Sequence, residues 1–90
     1  MSNAKRIFSG STDLGEVISI ATTKRPVAIH NDGITSLQLY ALVANVDAGE
    51  LEILSLHNNF FGAANKKWAF KENSRITNAE IVLLTAKEGA

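Results

Sequence analysis

Cysteine is absent from this chain, which excludes disulfides, thiolate nucleophiles and zinc–thiolate sites together. Charge of one sign is also lacking. Nine basic and nine acidic residues cancel, so no global field is available to hold nucleic acid or an anionic membrane. No apolar run approaches the roughly 20 residues of a membrane helix. The N-terminal stretch has no apolar centre of the kind a secretory leader needs, so none is expected. The six glycines are scattered, and no phosphate-cradling loop is formed from them. A single proline, Pro26, interrupts the chain.

What is present is a hydrophobic share of 46% over 90 residues, enough to exclude a disordered tail and to specify one domain with a limited core. The organising stretch is Ile34 to Leu56, ITSLQLYALVANVDAGELEILSL, preceded by Asn31-Asp32-Gly33 and divided by Asn45 to Gly49. The Asp-Gly pair between apolar alternations is a hairpin signal. A rival reading places a helix over 36–48, because Thr35 to Gln38 fits a capping box and Leu39, Leu42, Val43 and Val46 recur at helical spacing.

Around this centre the spacing predicts further strands. EVISIA (16–21) puts Ile18 and Ile20 on one side and Val17 on the other, and VAIH (27–30) follows Pro26 with Val27 and Ile29 inward. KKWAFK (66–71) alternates with Trp68 and Phe70 inward. The last strand, RITNAEIVLLT (75–85), is expected to bulge near Asn78-Ala79, where alternation breaks. A helix over 77–88, started by Thr77 to Glu80 and stopped by Gly89, competes with it. The polar segment 1–15 reads as an N-terminal arm, and 16–90 as a single β domain. The expected fold is therefore all-β: a small antiparallel sandwich or barrel of about six strands with an extended arm.

Candidate sites divide into chemistry and assembly. His30 and His57 with Glu50 or Glu52 have no ligand spacing that supports a metal site. No nucleophile elbow is present, and the Glu50/Glu52 pair suits a solvated strand start. Lys66, Lys67, Lys71 and Arg75 form a basic strip, and Asp47, Glu50 and Glu52 an acidic one, complementary enough for a contact between copies. The loop His57-Asn58-Asn59-Phe60-Phe61 combines aromatics with amides, a composition that suits a glycan or peptide ligand.

Leu54, Leu56, Val82 and Leu84 fall on strand faces that a lone sandwich would expose, and Ile7-Phe8 is an apolar pair inside the polar arm. These six are the expected interface. No stretch carries a family-specific motif. The function expected is non-enzymatic and cofactor-free: a structural component that assembles with itself or with a larger protein shell, without nucleic acid or membrane. A virion or other extracellular assembly is the expected setting, as in a capsid-decoration or fibre/tail accessory protein, with the cytoplasm as the alternative. The competing expectation is a β-sandwich module binding a glycan or peptide through residues 57–65.

Overall fold

A computed structural model describes residues 5–87 of the chain. The elements in order are β1 (Arg6–Ser11), β2 (Val17–Thr22), β3 (Val27–Asn31), β4 (Ile34–Val46), β5 (Leu51–His57), α1 (Phe60–Ala69) and β6 (Ile76–Lys87). All six strands belong to one antiparallel sheet. Its order is β2-β1-β6-β4-β3, with β5 also paired to β4. The expected all-β fold of about six antiparallel strands is the one the chain adopts, with one short helix added; the strands form a single sheet that is not closed into a barrel.

The turns follow local chemistry. Asp32 and Gly33 both take positive φ, 53° and 79°, so the β3–β4 hairpin closes through a two-residue primed turn with Asn31 opposite Ile34. The β4–β5 turn has the same handedness, with Asp47 at 54° and Ala48 at 59°. Gly49 N–H donates to the Val46 carbonyl at 2.9 Å. Asn78, at φ 56°, makes the bulge expected in β6, and its amide donates to Asn45 Oδ1 at 3.1 Å. Strand, not helix, occupies both 36–46 and 77–87. Gly89 and the first four residues of the arm lie outside the described residues.

Two predicted elements change places. Residues 66–71 are not a strand, because Phe60–Ala69 is helical. Topology supplies the reason. β5 and β6 lie on opposite sides of β4 and both run antiparallel to it, so they are parallel to each other. The link between them must carry the chain back along the sheet, which a helix across one face does compactly. Asn59 caps it, accepting from Gly62 N–H at 2.8 Å, and Lys66 and Lys67 sit at the C-terminal end, where positive charge is favoured. Conversely, the arm supplies the missing strand: β1 pairs along its whole length with β2.

Opposed residues of paired strands share a face, so the register assigns the two faces of the sheet. One face holds Phe8, Ile18, Leu37, Leu39, Val43 and Leu84 in a single buried cluster with Ala41 and Val82. Among the described residues no helix covers this face. Phe8 and Ile18 of the β1–β2 hairpin are buried in the same cluster as Leu39 and Val43 of β4, so the sheet must curl over this side, β1 crossing β6, and this face is the concave one. Gly10 permits that crossing, since a Cβ there would collide with the Leu83 carbonyl oxygen. β1 joins the β6 ladder only through Ser9 opposite Thr85. The convex face carries α1, which seals Leu42, Ala44 and Ala63 into a second, smaller core.

The expected facing of several residues is corrected by two bulges. In β5, Leu42 opposes Ser55 while Val43 opposes Ile53, so Leu54 is the extra residue. That shift lets Leu51 and Leu56 pack on the same concave core despite their odd spacing. The broken alternation in this stretch is thus a bulge, not a strand apolar on both faces. In β6 the bulge at Asn78 turns Val82 and Leu84 inward and leaves Ile81 and Leu83 on the convex side. Val27 and Ile29, expected inward, are convex and exposed, while Ala28 opposes Leu37 on the concave side.

Candidate functional site

Of the six residues expected to form an interface, three are unavailable. Phe8, Val82 and Leu84 are fully or almost fully buried in the chain's own core. Leu54 and Leu56 are half-buried. Only Ile7 stands out at 70% exposure. The Ile7-Phe8 pair therefore divides by strand alternation: Phe8 completes the core and Ile7 faces outward.

The register gathers other apolar residues around Ile7. Val17, Val27, Ile29, Ile34 and Leu83 all belong to the convex face and are exposed. Between them runs a strip of uncharged polar residues, Ser19, Ser9, Thr85 and Gln38, successive partners across four strands. The helix packs mainly against β4, β5 and β6, so it covers one end of this face and, among the described residues, leaves most of the β2–β1 end bare. Residue-by-residue reading missed this surface because face assignment needs the register. The signal available in the sequence was the alternation of Ile7, Ser9 and Ser11 with Phe8.

The 57–61 loop is not a continuous ligand-binding arc. His57 ends β5, Asn59 is spent as the helix cap, and Phe60 and Phe61 form the first turn of α1. Phe60 stacks edge-on against Tyr40 at 6.0 Å between centroids and against Phe61 at 6.2 Å. Phe61 remains 78% exposed. His57 Nε2 lies 2.7 Å from Ser55 Oγ. Partial burial holds its pKa below the ordinary imidazole value, with the charges of Lys24 and Lys66 adding to the effect. His30 shares a hydrogen bond with Thr35 at 2.8 Å. Among the described residues no three potential ligands converge on a metal position.

The acidic and basic strips, expected to meet between copies, meet in part within one chain. Arg75 Nε and Nη2 donate to the two Asp47 carboxylate oxygens at 2.7 Å each. The pair is solvent-exposed, and the guanidinium holds the Asp47 carboxyl below its usual range. Trp68, expected inward, projects from α1 at 71% exposure, with Lys71 Nζ 4.4 Å from its ring centroid. A groove of about 490 Å³ runs between this end of the helix and β6, bordered by Ala64, Lys67, Phe70 and Ile76. A second, of about 390 Å³, opens at the β1–β2 turn between Asp13, Glu16, Lys67 and Glu80. There Glu80 Oε2 accepts from Asp13 N–H at 2.7 Å. Neither groove brings a nucleophile against a base.

The fold and its surface define a class, an open, coiled antiparallel sheet with one crossover helix and a partly bare convex face. No family model, curated protein or solved structure matches the chain. Among the described residues no helix is long and apolar enough to cross a membrane.

Proposed function

We propose that the protein is a non-enzymatic assembly component that works by associating with further copies of itself. The observation that carries this reading is the bare convex face, where Ile7, Val17 and Ile34 are each more than two-thirds exposed. Covering an apolar side chain of this size is worth roughly 1.5–3 kcal/mol when complete, so several on one face favour association. A virion component, either a capsid-decoration or a fibre/tail accessory protein, is the setting we assign to such a module, on its small size, neutrality and lack of cysteine. Sedimentation equilibrium across a wide concentration range tests the reading. The expected result is a mass that rises with concentration above that of one chain, and a single-chain mass throughout overturns it.

A second reading has one observation in its favour, the outward projection of Phe61 beside Phe60 at the start of α1. Aromatic faces of this kind stack on sugars or peptide side chains. Binding to immobilised glycans or peptides that is abolished by Phe61→Ala, with the far-ultraviolet spectrum unchanged, would establish it.

A further inference from the structure

We propose that the outer edge of β2 is the contact through which two copies join, by antiparallel pairing of β2 with β2 across a two-fold axis into a continuous twelve-stranded sheet. This rests on the self-association proposed above and specifies its partner, edge and register. Among the described residues three strands, β2, β3 and β5, have a whole edge with no strand partner, and these edges are not alike. β5 carries Glu52 and follows Glu50, and β3 is short and headed by Pro26. Charges and proline are devices that discourage stray pairing. β2, Val17-Ile18-Ser19-Ile20-Ala21-Thr22, has none of them. It contains no charge, no proline and no bulge against β1. Its second edge has no strand partner among the described residues.

Charge selects the register. Glu16 stands just before β2 and Lys24 just beyond it, both exposed. Neither is in an ion pair, the Arg75–Asp47 bridge being the only one among the described residues. An antiparallel pair related by a two-fold axis perpendicular to the sheet keeps each face continuous only if residues of like parity oppose each other. Two central positions satisfy that, Ser19 and Ile20. Centring on Ser19 sets Glu16 opposite Thr22 of the second copy. Centring on Ile20 brings Glu16 of each copy opposite Lys24 of the other, two complementary pairs at once. It also sets Ile20 against its own counterpart at the margin of the concave core, where it is half-buried in one chain. On the convex side Ser19 then opposes Ala21, and Val17 opposes Thr23. The bare end of the convex face becomes the middle of a surface twice as wide.

The absence of cysteine makes the register directly readable. Opposed Cα atoms in antiparallel strands lie about 4.5–5.5 Å apart, within disulfide range. Single-cysteine proteins Ile20→Cys and Ser19→Cys are oxidised at matched concentration, with circular dichroism confirming that each retains its sheet. Ile20→Cys is expected to form a covalent dimer and Ser19→Cys to form little. Glu16→Lys and Lys24→Glu are each expected to raise the dimer dissociation constant about two- to thirtyfold, two exposed pairs acting together. The double exchange restores it. Ser19→Lys, which places a lysine on the open edge, is expected to weaken association about tenfold or more. A wild-type protein that is a monomer throughout overturns the proposed function and this inference with it. A self-associating wild type whose Ser19→Lys and charge-exchanged variants associate unchanged overturns the β2 edge alone. Preferential cross-linking at Ser19→Cys overturns the register.

Discussion

The two faces of the sheet are built from similar residues and solve burial in opposite ways. The concave face covers itself: the β1–β2 hairpin curls over the centre, and Phe8, Leu39 and Leu84 lose all contact with solvent. Among the described residues the convex face is covered only where α1 lies, over Leu42 and Ala44. Elsewhere it leaves Ile7 and Val17 in water. Ile7 and Phe8 are adjacent in the chain and opposite in environment. Hydrophobicity alone therefore does not mark the core here; the curl of the sheet does. A face that curls inward needs no second layer, and the outward face of the same sheet is left needing one.

Changes on the concave side are expected to cost most. Phe8→Ala should lower the unfolding free energy by about 3–5 kcal/mol, a transfer loss plus a cavity the packed neighbours fill only in part. That is a large fraction of the stability of a domain this size. Chemical denaturation would measure it. A loss below about 1 kcal/mol would mean the hairpin does not seal the core. The covering on the convex side is tested through the helix cap. Asn59→Ala removes the acceptor for Gly62 N–H and should cost about 0.5–2 kcal/mol. Amide exchange should quicken first in α1, sooner than in β4.

The two primed turns give a smaller effect of opposite sign. Asp32-Gly33 has glycine at a positive φ, whereas Asp47-Ala48 imposes φ 59° on an alanine. Ala48→Gly relieves that strain while loosening the unfolded chain, so the net expected gain is about 0.5–1 kcal/mol. A rise in thermal midpoint checks it. At the low end, Ile7→Ser and Val17→Ser should change the stability of a single chain by no more than about 0.5 kcal/mol, while weakening self-association. Equal losses of stability and association would show that these residues serve the fold.

The pH response should be mild and one-directional. His57 has a folded pKa depressed below its unfolded value of about 6.5. Over the interval between the two values the unfolded chain binds more protons, so stability is full above about 6.5 and falls as pH drops through that interval. Asp47, also depressed, adds a second decline below the ordinary aspartate range. His57→Asn should remove the first decline and keep the second, as followed by thermal midpoints across pH.

Local chemistry was legible from residues alone. Asp32-Gly33 specifies a hairpin because residues tolerant of positive φ close a primed turn with least strain, and the break in alternation at Asn78 marks a bulge. Alternation in 16–21 and over Leu37, Leu39, Ala41 and Val43 specifies strands, and β2 and β4 occupy those stretches. The candidate surface was legible only in one half of a pair, Ile7, because nothing in the chain says which face of a strand will be curled inward. KKWAFK alternates as a strand would, yet Trp68 and Lys71 fall on a helix and just beyond its end. The deciding constraint is non-local: β5 and β6 are parallel neighbours of β4, and the chain must return along the sheet between them. Likewise Phe8 is in the core because β1 crosses β6 at Gly10, and Leu56 joins Leu51 there because Leu54 is looped out as a bulge. Turns and strand periods arise from interactions a few residues apart, which the sequence by itself determines. The side of the sheet each residue occupies depends on register and curl across all six strands, which only the tertiary structure decided.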